Sequence, residues 1–294
     1  MSKTALKYDW EVIGYDKQKM YLQNALQQDR LAHAYLLVGP AGTGKTAFAR
    51  EAARQVLGQP EQIKRSPDYF EIEEKEEIKI ADIRALISRF SLTAISQSRR
   101  VAVISGIERA TNESLNALLK ILEEPKGQAI FFLTTQHLGV LPETIISRTQ
   151  KFFFTTCLPA QIEAALNSTG IDAKKRKLII DLSGGRIGKA MRLAQNSEYF
   201  EKVLDQEDRL KNFLEGDTIA RLNAASEIAA EETGEIKNLL GQWLASPLLS
   251  SNEFKNNADI NIIYKILIGI ENALNQLNRN ANRKLVLDSL AISL

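Results

Sequence analysis

The chain contains 294 residues, of which 44% are hydrophobic and 25% are charged, and its formal net charge is +2 at pH 7. These fractions are typical of folded globular proteins and exclude wholesale disorder, and the length is enough for about two domains. The small net charge does not by itself indicate a nucleic-acid-binding protein. Cys157 is the single cysteine, which excludes an intrachain disulfide and a cysteine-rich zinc site.

The N-terminal segment, MSKTALKYDWEV, contains no apolar signal core. No stretch of the sequence approaches the roughly twenty apolar residues that a membrane-spanning helix needs. We therefore expect a cytoplasmic protein without a membrane partner.

The first half of the sequence alternates between predicted strands and predicted helices. Short apolar runs predict strands at residues 34–38, 69–72, 101–104, 129–135 and 151–154. Helical segments are predicted at residues 16–28 with Asp16 as the N-cap, 47–57, 83–90, between a Thr111 cap and Pro125, and 141–148. Strands that are apolar on both faces favour a parallel sheet covered by helices on both sides. We interpret the acidic run at residues 71–79 as a solvated edge or loop.

After residue 158 the strand signal disappears, and the rest of the sequence predicts helices. The predicted segments are residues 161–167, 173–182 and 187–194, followed by further helices from Tyr199 onward. The clearest helical stripe runs from residue 260 to 277. This half contains no recognisable catalytic constellation.

Residues 39–46, GPAGTGKT, fit the phosphate-binding loop pattern G-x-x-x-x-G-K-T at every fixed position, between a strand and a helix. Glycines let the loop point its N–H groups at phosphate oxygens, the lysine reaches the terminal phosphates and the threonine hydroxyl joins a Mg²⁺ shell. The alternative, a glycine-rich turn without a ligand, is disfavoured by the complete match. We expect ATP or ADP at this loop, with Mg²⁺ only as its companion. The candidate nucleotide-binding residues are Gly39, Pro40, Ala41, Gly42, Thr43, Gly44, Lys45 and Thr46.

Hydrolysis at a P-loop also needs carboxylates at the tip of a neighbouring strand, to hold the metal shell and to orient the attacking water. The strand at residues 101–104 ends in Ser105-Gly106 instead. Loss of a general base alone typically lowers the rate by about 10²–10⁴. Glu108 follows two residues later, and we interpret it as a solvated loop glutamate. The sequence therefore predicts a chain that holds ATP but scarcely cleaves it alone.

Several further segments, in order, resemble the bacterial DNA polymerase III clamp-loader subunits, an AAA+ family, and among them most closely the delta-prime subunits. The resemblance covers nearly the whole chain. The matching segments are LAHAYL at residues 31–36, SPD at 66–68, NALLKILEEP at 116–125, PETIISR at 142–148 and NRKLVLDSL at 282–290.

The resemblance implies an α/β AAA+ P-loop core with a parallel sheet (residues 1–157), a small helical lid (158–198) and an all-α collar that joins subunits in a ring (199–294). It also implies several partners. These are the gamma/tau motor subunits and the delta subunit, with the beta sliding clamp and primer–template DNA met through the complex. The four-cysteine zinc module that many motor subunits carry has no counterpart in this sequence.

The resemblance also assigns individual residues. Arg148 matches the family's Ser-Arg-Cys motif, with Thr149 in the cysteine position, and would act as an arginine finger on the ATP of the adjacent motor subunit. A surface arginine that caps a short helix is the alternative for Arg148. Thr135 matches a nucleotide-sensing position, and Gly188 stands where motor subunits carry an arginine that touches the γ-phosphate.

Three hypotheses follow. The first is a clamp-loader subunit of the delta-prime type that does not hydrolyse ATP itself, and the second is an autonomous AAA+ ATPase such as a gamma/tau motor subunit. The third is a P-loop nucleotide kinase, for which the helical second half offers no acceptor site. Ser105 and Gly106 favour the first over the second, because an active enzyme needs acids there.

Overall fold

The computed structural model describes residues 10–58, 63–91, 99–125, 127–250 and 260–294. The chain divides into two compact units. The first comprises the described residues up to Ala165 together with Gly185–Lys189, and the second comprises Leu166–Gly184 and the described residues from Ala190 to the end. The predicted core begins at residue 1, and residues 1–9 of it lie outside the described part. The predicted division into core, lid and collar stays a prediction.

A five-stranded parallel sheet forms the centre of the first unit. Because all strands run in the same direction, their carboxyl ends lie at one edge of the sheet, where ligands bind in open α/β folds. The strands are β1 (Ala34–Val38), β2 (Tyr69–Ile72), β3 (Arg100–Ile104), β4 (Ala129–Thr135) and β5 (Gln150–Phe153). They lie side by side in the order β2-β3-β4-β1-β5.

The helices of this unit lie on both faces of the sheet. Successive side chains of a strand point to opposite faces, so β1 sends Leu36 into one core and Leu37 into another. Helices supply Leu86, Leu118 and Ile145 to the Leu36 core and Phe48 to the Leu37 core. The helices are α1 (Asp16–Gln27), α2 (Lys45–Leu57), α3 (Ile80–Ser91), α4 (Asn112–Glu123), α5 (Glu143–Ile146) and α6 (Pro159–Leu166).

The second unit is helical throughout its described residues. Its core is centred on Trp243, which packs against Phe213 with ring centroids 5.2 Å apart. The indole N–H donates to the backbone oxygen of Gln206 at 3.2 Å, so the polar group of this buried ring has a hydrogen-bond partner. The remaining helices are α7 (Ala173–Ser183), α8 (Ile187–Gln195, which begins in the first unit), α9 (Ser197–Glu215), α10 (Thr218–Ala229), α11 (Thr233–Leu244), α12 (Ile260–Asn278) and α13 (Arg283–Ser293).

The structure confirms the predicted parallel sheet and helical second half, with element bounds shifted by a few residues at most. Thr111 caps α4 as predicted, since its side chain accepts from the Ser114 N–H. The prediction that Asp16 is the cap of α1 is wrong. Tyr15, in a left-handed conformation with φ of 59°, occupies that position, and Asp16 is the first helical residue. Among the described residues, no helix combines the length and apolarity that a bilayer crossing needs.

The prediction of a solvated acidic run is wrong for Glu71. Its side chain is only 7% exposed, accepts from the Arg50 guanidinium at 2.6 Å and accepts from the Tyr69 hydroxyl at 2.8 Å. The run begins inside β2, whose alternating residues cannot all face solvent, and this carboxylate turns towards α2.

Candidate functional site

The P-loop pattern lies where the sequence predicts, between β1 and α2. The loop leaves the carboxyl end of β1, where the Gly39 N–H donates to the Thr135 backbone oxygen at 3.1 Å. Its backbone is left-handed at Gly42 and Gly44, with φ values of 78° and 90°, and α2 begins directly afterwards at Lys45. The strand–loop–helix context that a phosphate cradle requires is therefore present.

Lys45 folds back over the loop. Its Nζ donates to the backbone oxygens of Gly39 at 2.6 Å and Pro40 at 2.8 Å, and the residue is only 8% exposed. Burial lowers the pKa of Lys45 to about 8, while the carboxylates of Glu108 and Glu74 act in the opposite direction. In this conformation the loop's own carbonyl groups satisfy the ammonium group that would otherwise reach phosphate.

Thr46 and Ser105 face each other at the expected metal position. Their hydroxyl oxygens lie 3.2 Å apart, and Ser105 is 1% exposed. A carboxylate at the Ser105 position would provide charge for a Mg²⁺ shell, whereas two hydroxyls provide none. Thr46 and Ser105 are therefore better suited to a hydrogen bond with each other than to binding a divalent cation.

Gly106 follows in a left-handed conformation, with φ of 70°, and its N–H donates to the Thr134 hydroxyl at 3.0 Å. Residues with a side chain rarely adopt this backbone conformation. A catalytic glutamate at position 106 would therefore need a different turn as well as a different residue.

Glu108 is not the solvated loop glutamate that its position in the sequence predicts. The turn Ile107–Arg109 directs one carboxylate oxygen, Oε1, onto the Gln136 N–H at 3.1 Å. The other oxygen, Oε2, is buried and has no hydrogen-bond partner among the described residues. The negative charge acts on Lys45, so Glu108 belongs to the electrostatic surroundings of the P-loop.

Thr135, the predicted sensor, ends β4 beside Val38 and is fully buried. Its hydroxyl accepts from the His137 N–H at 3.2 Å and lies 3.3 Å from the His137 backbone oxygen. The strand order therefore brings Thr135 to the start of the P-loop. The hydroxyl, however, is engaged by the turn that follows its own strand.

Residues 186–189, at the start of α8, pack directly on the P-loop. The Lys189 N–H donates to the Gly42 backbone oxygen at 2.9 Å. A Cβ atom on Gly188 would lie 2.8 Å from that same oxygen and 3.0 Å from the Gly44 nitrogen, distances that real Cβ atoms rarely reach. Gly188 thus lets the α8 backbone approach the loop amides. The resemblance predicts that Gly188 stands in place of an arginine, but it does not predict the close backbone contact that the glycine permits.

Tyr15 is a site residue that sequence reasoning missed. Its hydroxyl donates to the Thr43 backbone oxygen at 2.7 Å, and its ring lies 4.4 Å from that of Phe154. Burial raises the pKa of Tyr15, so the phenol stays protonated and keeps donating. No local pattern marks a tyrosine outside the motif as a support for the loop.

Arg148 lies away from its own P-loop. It precedes β5, whose first residue pairs with Tyr35, so it lies at the amino edge of the sheet, whereas the P-loop leaves the carboxyl edge. The four residues of β5 separate these edges by roughly 13 Å. The guanidinium contacts Glu123 Oε1 at 2.8 Å through Nη2 and the Thr144 backbone oxygen at 3.0 Å through Nη1. The Thr144 contact is the bond that the alternative interpretation predicts, an arginine that caps a short helix, and it holds the guanidinium at the edge opposite the P-loop.

Comparison with known proteins agrees with this architecture. Residues 14–157 match the family model described as DNA polymerase III, delta subunit. The delta' subunit of Bacillus subtilis DNA polymerase III is 31% identical over 195 residues, which is 61% of this chain and 59% of that protein. The gamma/tau subunit of Mycoplasma pneumoniae is 30% identical over 224 residues, 71% of this chain and 32% of that protein. The chain thus spans between about a third and three fifths of these relatives.

Two solved structures share the fold. A gamma subunit-related protein from Thermotoga maritima gives a TM-score of 0.51 at 19% identity and covers 92% of this chain and 98% of its own. A RuvB variant from the same organism gives 0.53 at 20% identity, with coverages of 81% and 88%. These likenesses confirm the predicted AAA+ fold class. The match of the P-loop core at residues 14–157, together with the delta' and gamma/tau relatives, supports a clamp-loader subunit of the AAA+ class.

Proposed function

We propose that the chain is a clamp-loader subunit of the delta-prime type, which helps to load a sliding clamp onto primed DNA without hydrolysing ATP at its own site. The hydroxyl pair of Thr46 and Ser105 is the observation that carries this proposal. It puts a neutral hydrogen bond where an active P-loop enzyme needs a metal-binding carboxylate. The left-handed Gly106 adds to this, because the next position offers no general base.

The P-loop still has the donors of a phosphate cradle. Loop amides, Lys45 and the positive end of α2 would hold ATP or ADP, with Mg²⁺ bound only through the nucleotide. With a nucleotide bound, Lys45 would donate to phosphate oxygens instead of the neutral carbonyl groups of Gly39 and Pro40. Because the acids for hydrolysis are absent at Ser105 and Gly106, a nucleotide at this site would act as a structural ligand.

Arg148 is the proposed catalytic residue, acting in trans on the ATP of a neighbouring motor subunit. Three features support this role: its place at the amino edge of the sheet, its distance from the chain's own P-loop and a side chain that remains 35% exposed. An arginine finger stabilises the charge on the leaving phosphate and can raise the rate by about 10³–10⁵.

The proposed assembly contains gamma/tau motor subunits and the delta subunit, with the beta sliding clamp and primer–template DNA met through the complex, in the cytoplasm. Support comes from the delta' and gamma/tau relatives. The helical region at residues 199–294 would serve as the collar that joins the subunits, and residues 158–198 as the lid. Any contact with DNA would go to phosphates and weaken as the salt concentration rises.

The test is DNA-stimulated ATP hydrolysis by the reconstituted loader, with wild-type chain and with Arg148→Ala, beside the isolated chain. We expect negligible turnover by the isolated chain and a collapse of the loader rate in the variant. Arg89→Ala is the matched control, an exposed arginine of the same unit that contacts the Pro67 carbonyl group. Brisk turnover by the isolated chain would overturn the non-hydrolysing assignment, and a loader indifferent to Arg148→Ala would remove the finger role.

An autonomous AAA+ ATPase, such as a gamma/tau motor subunit, is the second candidate. The observation that favours it is Glu108, whose buried Oε2 lacks a hydrogen-bond partner among the described residues and whose charge acts on Lys45. If Glu108 replaced the missing acids, the isolated chain would hydrolyse ATP, and Glu108→Gln would abolish that activity. Under the leading proposal, Glu108→Gln leaves the negligible turnover of the isolated chain unchanged.

A further inference from the structure

The Arg148 guanidinium is held by two acceptors from two different helices. Glu123, the last residue of α4, accepts at 2.8 Å from Nη2, and the Thr144 backbone oxygen in α5 accepts at 3.0 Å from Nη1. A guanidinium is planar and carries its five N–H donors in a fixed fork. Fixing both terminal nitrogens therefore fixes the plane of the group and the direction of its remaining N–H bonds.

Both acceptors lie on elements anchored in the core. On α4, Leu118 is fully buried and Leu122 is 1% exposed, and Ile145 of α5 is fully buried in the same cluster. The start of α4 is fixed by the Thr111 cap. Glu123 and Thr144 thus offer a rigid mount on which a long, flexible side chain takes one orientation.

The strength of the Arg148–Glu123 ion pair indicates whether Glu123 orients the arginine or keeps it away from a phosphate. The side chains of Arg148 and Glu123 are 35% and 47% exposed, and ion pairs with this much solvent contribute little to stability. Such a pair is too weak to keep the arginine from a phosphate. It is strong enough to bias the rotamers of a side chain that would otherwise lose much conformational freedom on binding.

We propose that Glu123 is a positioning residue for Arg148, which orients the guanidinium before a neighbouring subunit's nucleotide arrives. This inference rests on the proposed finger function of Arg148. Preorganisation lowers the barrier of the chemical step, and a small misplacement of a catalytic group can lower a rate by about 10- to 100-fold. Glu123 thereby affects kcat rather than the affinity of the motor subunit for ATP.

The experiment measures kcat and KM for ATP in DNA-stimulated hydrolysis by the reconstituted loader. The variants are Glu123→Ala, Glu123→Gln, Arg148→Ala and the Glu123→Ala/Arg148→Ala double variant. We expect Glu123→Ala to lower kcat about tenfold or more with KM for ATP unchanged. Glu123→Gln, which keeps an acceptor oxygen, should recover much of that loss. The double variant should match Arg148→Ala, because a positioning residue has no effect without the group that it positions.

Glu124→Ala is the control, since it removes the neighbouring carboxylate and leaves the Arg148 contact with Glu123 in place. It should behave as wild type. A normal or raised kcat in Glu123→Ala, beside a collapse in Arg148→Ala, would overturn the positioning role and leave the finger intact. A normal rate in Arg148→Ala would end both. If Glu123→Ala fails to assemble, Glu123→Ser decides, because its short side chain cannot reach the Arg148 guanidinium and a kcat equal to that of wild type would then reject the proposal.

Discussion

The hydroxyl oxygens of Thr46 and Ser105 lie 3.2 Å apart, and 59 positions of sequence separate them. Thr46 belongs to the first turn of α2 and Ser105 follows β3, so the sheet order brings the two side chains together at the carboxyl edge. In a hydrolytic P-loop site the same two positions share a cation. Here they share a hydrogen bond, so a complete P-loop lies beside a strand tip that carries no acid.

Ser105→Ala should cost stability without changing catalysis. Ser105 is 1% exposed and Thr46 is partly buried, so the substitution removes a hydrogen bond at a largely buried position, for which we expect about 1 kcal/mol of lost unfolding free energy in denaturant titration. ATP turnover by the isolated chain should stay at background. Ser226→Ala, which removes an exposed hydroxyl that bonds within α10, is the control and should be neutral. A turnover that changes with Ser105→Ala would show that the serine takes part in chemistry.

Gly188→Ala should separate α8 from the P-loop. The added Cβ would meet the Gly42 oxygen and the Gly44 nitrogen, so the helix start must shift at a cost of about 1–3 kcal/mol. Hydrogen exchange at the Lys189 amide should accelerate, because its bond to Gly42 is lost. Gly241→Ala in α11, where an added Cβ meets nothing within 4 Å, should instead stabilise slightly. Unchanged exchange at Lys189 would contradict the close contact.

Lys45 should make stability depend on pH above neutrality. Its folded-state pKa of about 8 lies below the ordinary value of 10.5, so between these values the unfolded chain binds more protons than the folded chain. The free energy of unfolding therefore rises with pH in this window. Lys45→Met lacks this contribution, and urea titrations at pH 7 and pH 10 should show wild type gaining relative to the variant. If the unfolding free energy of wild type minus that of Lys45→Met stays constant or falls between pH 7 and pH 10, the lysine is not desolvated.

Glu71→Ala should destabilise the fold much more than substitution of a solvated glutamate in the same acidic run. It removes a buried carboxylate that bonds Arg50 and Tyr69, and leaves both donors without that partner. We expect a loss of about 2–3 kcal/mol in unfolding free energy. Glu73→Ala, two residues later and 63% exposed, is the matched control and should show no measurable loss. Equal effects of the two substitutions would mean that Glu71 is solvated after all.

Much of the fold could be predicted because its signals are local. Apolar runs gave the strands, the 3.6-residue spacing gave the helices, and Thr111 and Pro125 marked the limits of α4. The P-loop motif carries its own strand and helix, so its placement also followed from neighbouring residues. The cap of α1 escaped prediction because a left-handed Tyr15 is held by its hydroxyl bond to Thr43, a contact that local spacing does not encode.

The sequence by itself determined the order of the elements, the position of the P-loop pattern and the absence of acids at Ser105 and Gly106. Only the tertiary structure decided which distant groups are in contact. The Ser105 hydroxyl bonds Thr46, the Gly188 backbone packs on the P-loop, and the Glu123 carboxylate pairs with Arg148. The physical reason is that periodicity and capping act over a few residues. Contacts between distant residues depend on strand order and helix packing. Local patterns in a single sequence therefore do not predict which charges are buried or which backbones lie close together.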